Sequence, residues 1–331
     1  MSNAWKQRRE GGGRFALWLI RSIGRHGGRG LARLCLYPIT AYFLLRRGAE
    51  RRDSRDYLSR VFGRRAGLRE VARHIHTFAC TILDRVFLLG EDLRRFDVRV
   101  QGVEGLEAQL AQGRGVLLFG SHLGSFEALR ALARRRPDVK IRIVLDKAHN
   151  PAMTQLLDAL NPEIAAGVID ASQGGPSLML AIKQAADEGA LVSLLVDRTH
   201  PGAPVQAAQF LGAPAEFPVS PWLVASVLKL PISLGFGLYR GGNRYDLLFE
   251  SFSDAGIDLP RRGRSVLLAS LVQRYASRLE HHARRAPYNW FNFYDFWNLH
   301  EDATDAAAPL AAGADADAAG RRDAAVRRAA G

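Results

Sequence analysis

The sequence predicts an α/β fold with a mixed, largely parallel β-sheet flanked by helices. From residue 97 onward, short β-rich runs alternate with helical stretches, which is typical of parallel strands joined by helices. The chain has 331 residues, of which 47% are hydrophobic, so it can bury a sizeable core in one large or two modest domains. Only 24% of the residues are charged, which excludes disorder along the whole chain.

The first hundred residues carry all of the surplus positive charge. The chain contains 46 Lys and Arg against 33 Asp and Glu, a formal net charge of +13. Residues 1–96 hold 21 basic and 8 acidic residues, whereas residues 97–331 hold 25 of each. This asymmetry predicts a negatively charged partner, either nucleic acid or the anionic face of a membrane.

Two apolar runs within the basic region favour the membrane over nucleic acid. Residues 15–20 and 31–45 are rich in Leu, Ile, Phe and Tyr and are flanked by arginines. The second run is too short for a spanning helix of about 20 nearly uncharged residues, and it contains Arg33 and Pro38. We therefore expect residues 1–56 to form membrane-anchoring helices that lie in the interface, with their arginines on anionic headgroups.

The N-terminus has two other interpretations, a signal peptide and a set of core helices. A signal peptide is disfavoured because Arg46 and Arg47, rather than a small-residue cleavage site, follow the second run. The same run could instead pack its apolar face under the domain. The flanking arginines place the protein on the cytoplasmic side of the membrane. Two lone cysteines, Cys35 and Cys80, agree with a reducing compartment.

The α/β region follows a basic helical stretch and precedes a polar tail. Residues 57–96 carry apolar side chains at three- and four-residue steps, which predicts a helix. Strands are expected at 98–100, 116–119, 141–145, 168–169, 191–196, 232–238 and 245–249. Helices are expected at 104–112, 124–135, 151–160, 175–188, 219–229 and 264–285. The α/β domain should thus cover residues 57–300, and the Ala-rich segment 301–331 should be disordered because it is poor in core residues.

The turn after the second predicted strand carries the most informative polar residues. The strand ends at Phe119, and Gly120 and Gly124 allow a tight turn before the next helix. His122 lies in this turn, and Glu127 lies in the first turn of the helix. In open α/β sheets, ligands bind beyond the carboxyl ends of the strands. A carboxylate that holds one imidazole nitrogen makes the other a better base, so the pair is a plausible general base for a hydroxyl acceptor.

Three other interpretations of these residues compete with the general base. Glu127 could simply favour a helix N-terminus, with His122 as an ordinary turn residue. Ser121 sits one position too early for the G-x-S-x-G elbow of serine hydrolases. A metal site is not expected. His74 and His76 point to different helix faces, and His281 and His282 are adjacent in sequence.

Several blocks of the chain resemble the lipid A biosynthesis (lauroyl/myristoyl) acyltransferases of the lysophospholipid acyltransferase superfamily. The three main blocks are the His-x4-Glu element at 122–127, the strand that ends in Asp197-Arg198, and residues 210–218. Two further similar blocks are Gly-Val-Glu-Gly at 102–105 and the aromatic stretch at 288–297. The resemblance runs from the N-terminal anchor to about residue 299.

This resemblance implies transfer of a fatty acyl group from a thioester to a hydroxyl or amine of a membrane lipid. The donor would be acyl carrier protein or coenzyme A, and no cofactor would be needed. His122 would take the proton of the acceptor, and Glu127 would orient and support the imidazolium. Backbone N–H groups near Gly124 and Ser125 would stabilise the developing oxyanion.

The other two main blocks would complete the substrate site. Arg198, beside Asp197, could hold a phosphate or help to stabilise the oxyanion, although an ion pair with Asp197 or Glu127 is the alternative. A loop from Phe210 to Pro218 would cover the acyl or headgroup site, with a simple connection between elements as its alternative. The expected substrate contacts in this loop are Phe210, Gly212, Pro214, Phe217 and Pro218.

Two departures from typical lipid A enzymes concern the acceptor. Arg198 stands where Gln is more common, and the 288–297 block has fewer basic residues. The chain is in this respect similar to relatives found beside aryl polyene or aminolipid pathways. The expected partners are a lipid acceptor, acyl carrier protein and an anionic membrane surface, at the cytoplasmic face of a bacterial inner membrane, without nucleic acid. The competing class is a non-catalytic peripheral membrane or nucleic-acid-binding protein, which has no need of polar residues at strand ends.

Overall fold

The computed structural model describes residues 28–89, 93–129, 139–199 and 202–297. The first apolar run, at 15–20, and the predicted tail at 301–331 lie outside these ranges. The chain divides into two compact units, one of residues 12–294 and one of residues 1–11 with 295–331. The elements and the site that follow all belong to the first unit.

The chain reaches its sheet through a series of helices. Helical turns at 28–34 lead into α1 (Leu36–Arg46), α2 (Gly48–Phe62) and α3 (Leu68–Leu89). The prediction of one continuous helix over 57–96 is wrong, because Gly63 adopts a left-handed conformation with φ of 65° and ends α2. A short 3₁₀ turn at Leu93–Arg95 then precedes the first strand.

One face of helix α1 and of the turns before it is buried, and a second face exposes large apolar side chains. Leu36 and Thr40 are buried. Five large side chains at helical spacing form what we call the apolar stripe: Leu31 (52% exposed), Leu34 (63%), Tyr37 (63%), Tyr42 (55%) and Leu45 (80%). None of the helices in the described ranges combines the length and the apolar character needed to cross a membrane.

A mixed, largely parallel sheet lies at the centre of the fold and confirms the predicted fold class. The strands are β1 (Asp97–Gln101), β2 (Val116–Gly120), β3 (Ile141–Leu145), β4 (Val168–Asp170), β5 (Leu191–Leu195), β6 (Val205–Phe210), β7 (Ala213–Pro218), β8 (Ile232–Gly241) and β9 (Arg244–Ser253). Seven of them form one sheet in the order β1-β9-β8-β2-β5-β3-β4. Its neighbours are parallel except β8 and β9, which form an antiparallel hairpin. Each strand predicted from the sequence is present.

Helices connect the strands largely as predicted. They are α4 (Val103–Leu110), α5 (Pro151–Leu160), α6 (Pro162–Ala166), α7 (Gly175–Asp187), α8 (Ser220–Leu228) and α9 (Arg264–Arg285). The helix expected at 124–135 does not begin at Gly124; a 3₁₀ turn forms at Phe126–Leu129 instead, and residues from 130 onward lie outside the described range. Gly124 adopts φ of 82°, which is not a helical conformation, so a helix cannot begin at this residue.

The segment 210–218, expected as a loop, is the turn and second strand of a hairpin. Strands β6 and β7 pair antiparallel from Val205 opposite Pro218 to Phe210 opposite Ala213. The two turn residues, Leu211 and Gly212, both adopt positive φ, at 52° and 83°. Such a two-residue turn matches the natural twist of paired strands, which is why this stretch closes into a hairpin.

Helix α3 lies along the edge at which the parallel strands end. Its Asp84 accepts a hydrogen bond from the Tyr245 hydroxyl at 2.9 Å, and its Arg85 lies 2.6 Å from the Glu127 carboxylate. Asp84 is fully buried and is neutralised by Arg29, whose Nε and Nη2 lie 2.6 and 2.8 Å from its two oxygens. The N-terminal helices are thus attached to the carboxyl edge of the sheet, where ligands bind in open α/β folds.

Candidate active site

The turn after β2 places His122 at the carboxyl edge of the sheet. Gly120 ends β2, and its carbonyl accepts a hydrogen bond from the N–H of Val196 at 3.1 Å. Gly124 adopts φ of 82°, and a Cβ atom at this position would lie 2.0 Å from the carbonyl oxygen of Gly237. Glycine at position 124 therefore allows the turn to lie directly against β8.

A buried carboxylate orients the imidazole of His122. Asp197 follows β5, and its Oδ1 lies 2.9 Å from Nδ1 of His122. Its Oδ2 accepts the backbone N–H of His122 at 2.9 Å and the indole N–H of Trp290 at 3.0 Å. Because a carboxylate only accepts hydrogen bonds, Nδ1 carries the proton and Nε2 presents its lone pair.

The surroundings of Asp197 keep this carboxylate ionised. The side chain is fully buried, which by itself would raise its pKa. The charge and hydrogen bond of His122 outweigh this effect, together with the charge of Arg198 and the hydrogen bond from Trp290, and the pKa of Asp197 falls to about 2. The aspartate is therefore negative throughout the physiological pH range.

The imidazole of His122 is kept neutral and accessible. Burial lowers the pKa of His122 below its ordinary value of about 6.5, and the positive charges of Arg198 and Arg85 lower it further, against the opposing effect of Asp197. The side chain is nevertheless 31% exposed, and Nε2 has no hydrogen-bond partner among the residues that the structure describes. A neutral imidazole with an accessible Nε2 is the form that a general base requires.

Glu127 belongs to the same site but does not hold the imidazole. Its Oε2 accepts the hydroxyl of Ser125 at 2.9 Å, and its Oε1 lies 2.6 Å from Nε of Arg85. The expected pairing of His122 with Glu127 is thus replaced by an ion pair to α3. The reason is electrostatic, because on the 3₁₀ turn the carboxylate meets the guanidinium of Arg85, which neutralises it at 9% exposure.

Arg198 has donors available for an anionic ligand. Its Nη2 donates to the carbonyl of Phe291 at 2.6 Å, and its guanidinium lies over the ring of Tyr294, 5.5 Å from the ring centre. Within the described ranges it forms no ion pair with Asp197 or Glu127, whose partners are His122 and Arg85. Arg198 therefore lies near the imidazole without an ion-pair partner among the residues that the structure describes.

The backbone donors expected for the oxyanion are already used. The N–H of Gly124 donates to the carbonyl of Asn289 at 2.7 Å, and the N–H of Ser125 donates to the carbonyl of Gly237 at 2.7 Å. These bonds fasten the turn to its neighbours, so neither group can donate to a substrate in this arrangement. In the described part of the site, the guanidinium of Arg198 remains as a donor for developing negative charge.

Two of the five hairpin residues named from the sequence contribute to the packing around the site. Phe210 and Phe217 are fully buried, and Phe210 packs against Trp290 with ring centres 5.1 Å apart. They support the site by packing. No described contact joins the imidazole to the other three hairpin residues: Gly212, Pro214 and Pro218.

Two residues of the site were not identified from the sequence. Trp290 lies 93 residues from Asp197 and was noted only as part of an aromatic block. Arg85 lies in α3. The spacing of apolar residues along this helix indicates which face is buried, but it does not indicate which distant side chain Arg85 contacts. His74, which was considered only as a metal ligand, hydrogen-bonds to the backbone of Trp290 at 2.9 Å. These contacts join distant segments, so local patterns carry no signal for them.

Metal ligands are not gathered in the part of the chain that the structure describes. No group of three or more His, Cys, Asp and Glu side chains there could hold a metal ion. The described site contains the imidazole of His122, the buried carboxylates of Asp197 and Glu127, and the guanidinium groups of Arg85 and Arg198.

A protein-family comparison covers most of the chain, including the residues of this site. A family model described as bacterial lipid A biosynthesis acyltransferase matches residues 13–298, which include every residue of the site. No curated protein sequence gives a significant match to the chain.

Proposed function

Because the chain belongs to the bacterial lipid A biosynthesis acyltransferase family, we propose that it moves a fatty acyl group from an acyl thioester to a hydroxyl or amine of a lipid. The observation that supports this most directly is the orientation of His122. Its Nδ1 is fixed by Asp197, and its Nε2 carries a lone pair without a described partner. Family membership makes the chain an enzyme, so the non-catalytic interpretation is not retained.

The proposed reaction needs one base that later acts as an acid. Nε2 of His122 takes the proton of the acceptor as the acceptor oxygen or nitrogen attacks the thioester carbonyl carbon. Asp197 stabilises the imidazolium that forms. The C–S bond then breaks, and the leaving thiolate takes the proton back from Nε2. The products are the acylated lipid and a free thiol, and the imidazole ends neutral.

Arginines supply the positive charge that this reaction needs. We assign Arg198 to the oxyanion of the tetrahedral intermediate or to a phosphate of the substrate, since both are anionic. Glu127 acts indirectly in this proposal: its Oε1 lies 2.6 Å from Nε of Arg85, and the ion pair holds the charge of Arg85 where it acts on the imidazole. The resulting field disfavours protonation of His122 before the acceptor binds.

The most direct test is thioester-dependent turnover. Purified protein is incubated with bacterial membranes and a long-chain acyl thioester of acyl carrier protein or of coenzyme A. We expect release of free carrier thiol together with acylation of a membrane lipid, seen by mass spectrometry. Comparing the two thioesters identifies the donor, and we expect acyl carrier protein to be preferred. Lipid-independent thiol release would contradict transfer and indicate hydrolysis.

Arg198→Lys should already be costly if the guanidinium binds an oxyanion or phosphate through two N–H groups. Lysine keeps the charge but loses the planar fork, and removing one oxyanion donor typically costs about 10²–10³-fold in kcat. We expect a loss of about tenfold or more in kcat/KM. The matched control is Arg278→Lys, because Arg278 forms a two-point ion pair with Glu250 outside the site. Wild-type kinetics in Arg198→Lys would leave only a diffuse electrostatic role.

The apolar stripe supports attachment to a membrane at the active-site edge. Helix α1 packs on α3, where Thr40 Oγ1 lies 3.0 Å from Nδ1 of His76 and Tyr37 stacks on the same imidazole. The other four stripe residues, Leu31, Leu34, Tyr42 and Leu45, are exposed, and Arg46 and Arg47 follow them. We propose that the stripe enters the interface of the bacterial inner membrane from its cytoplasmic face, with the arginines on anionic headgroups.

Replacing two stripe residues by charges should release the protein from lipid. We expect Leu34→Glu with Leu45→Glu to weaken binding to anionic phospholipid vesicles at least tenfold, because each change places a charge in the interface. High salt should weaken, but not abolish, binding of the unchanged protein, because screening removes only the charge contribution. Val266→Glu is the matched control, since Val266 is 73% exposed on α9. Complete release by salt alone would overturn the apolar contact.

A further inference from the structure

A short segment after α9 is hydrogen-bonded to the two turns that carry His122, Asp197 and Arg198. We call residues 289–291 the strap. The carbonyl of Asn289 accepts the N–H of Gly124 at 2.7 Å, and the N–H of Phe291 donates to the carbonyl of His122 at 3.0 Å. The carbonyl of Phe291 accepts from Arg198 at 2.6 Å. The strap therefore contacts both of the turns that carry the functional side chains.

The middle residue of the strap reaches the buried carboxylate directly. The indole N–H of Trp290 donates to Oδ2 of Asp197 at 3.0 Å, the same oxygen that accepts the backbone N–H of His122. The indole is 1% exposed and packs edge-on against Tyr57 and Phe210, with ring centres 5.0 and 5.1 Å away. Its N–H consequently has one fixed direction.

A buried histidine on α3 fixes the backbone of the strap from the other side. Nε2 of His74 lies 2.9 Å from the carbonyl of Trp290, and Nδ1 lies 2.8 Å from the hydroxyl of Ser54 on α2. Because a carbonyl only accepts, Nε2 carries the proton and Nδ1 accepts from Ser54. Burial lowers the pKa of His74 to about 4, so it keeps this neutral form at physiological pH.

We propose that Trp290 is a positioning residue for the His122–Asp197 pair: its indole N–H fixes the carboxylate, and its backbone is held in turn by His74 of α3. Helices α2 and α3 are thereby joined to the His122–Asp197 pair by hydrogen bonds that pass from Ser54 through His74 and Trp290. The expected effect of Trp290 on turnover rests on the proposed function. Its effect on the imidazole can be measured without any reaction.

The direction of that effect follows from the charges around the imidazole. The groups that act on His122 are Asp197 and Arg198, which follow β5, and Arg85 of α3. Removing the indole donor leaves Asp197 less well stabilised as an anion, so it becomes a stronger partner for the imidazolium. The pKa of His122 should therefore rise, and with it the midpoint of the acid limb of kcat/KM.

The test compares two tryptophan variants of the full chain. Trp290→Phe removes the donor but keeps an aromatic ring. Trp222→Phe is the matched control, because Trp222 is also fully buried but its Nε1 has no hydrogen-bond partner in the described structure. At metal sites, hydrogen-bond partners of the ligands are typically worth about 10- to 100-fold, and we expect a kcat loss in this range for Trp290→Phe, with little change in KM. The His122 titration, followed by ¹⁵N NMR, should move upward in Trp290→Phe alone.

A measurement on the unchanged protein covers the case in which Trp290→Phe fails to fold. The indole proton of Trp290 should shift with pH at the titration midpoint of His122, whereas that of Trp222 should not. An unmoved indole proton, or an unchanged His122 midpoint in a folded Trp290→Phe, would overturn the proposal. If no acyl transfer is found for the wild type, the proposed function fails, yet both NMR results still decide the role of Trp290.

Discussion

His122→Ala should lower acyl transfer by about 10²–10⁴-fold and leave the protein folded and able to bind membranes. The expected loss has this size because the variant lacks the imidazole proposed as the general base, and a positioned base is typically worth about 10²–10⁴-fold. The imidazole is partly exposed, so its removal leaves no large cavity. The measurement is the initial rate of thiol release with an acyl thioester and membranes, alongside circular dichroism and vesicle binding.

The control for this variant is a second histidine with a similar partner. Nδ1 of His149 lies 2.7 Å from Oδ2 of Asp146, and in the described structure no hydrogen bond or ion pair joins this pair to His122, Asp197 or Arg198. His149→Ala should keep the wild-type rate. Activity of His122→Ala within tenfold of wild type would contradict the assignment.

In the wild type, neutral His122 should persist below pH 6.5 because its pKa is lowered, so the rate should fall only at more acidic pH.

The order of strands and helices could be predicted because it depends on local patterns. Buried strands such as β2 and β5 are short apolar runs with glycines or charged residues at their ends, and these signals are read within a few residues. The prediction of a loop at 210–218 was wrong because Leu211 adopts a positive φ in a tight turn. Leucine rarely adopts this conformation, so its presence gives no signal of such a turn. The end of α2 at Gly63 was not predicted, because apolar side chains continue at helical spacing after this residue.

Part of the membership of the candidate site could be predicted from the sequence, but the pairing of its side chains could not. His122, Glu127 and Arg198 were named because each ends a strand or begins a helix at the same edge of the sheet. Their pairing was not predictable, because Asp197 reaches the imidazole from a strand 75 residues away and Arg85 reaches Glu127 from a separate helix. The four residues between His122 and Glu127 suggest a pair on one helix. The N–H groups of residues 124 and 125 are bound to Asn289 and Gly237 instead, and these bonds hold the turn in a non-helical conformation.

Asp197→Asn separates the two possible carboxylate partners of the imidazole. Both oxygens of Asp197 accept hydrogen bonds, Oδ1 from His122 and Oδ2 from the backbone of His122 and from Trp290. An amide has one oxygen and one NH₂ group. If the oxygen keeps the two donors at Oδ2, the NH₂ group faces Nδ1, which must then accept, and the proton moves to Nε2. The nitrogen that should take the acceptor's proton would already carry one.

We therefore expect Asp197→Asn to lower kcat by about 10³–10⁴-fold, since the equivalent change in serine protease triads costs about 10⁴-fold through the wrong tautomer. Glu127→Gln is the matched carboxylate-to-amide control. Glu127 contacts Arg85 and Ser125 rather than the imidazole, so we expect a loss of about tenfold or less. ¹⁵N NMR of His122 should show the proton on Nε2 in Asp197→Asn and on Nδ1 in Glu127→Gln. A larger loss in Glu127→Gln than in Asp197→Asn would return the orienting role to Glu127, the residue that the sequence spacing favours.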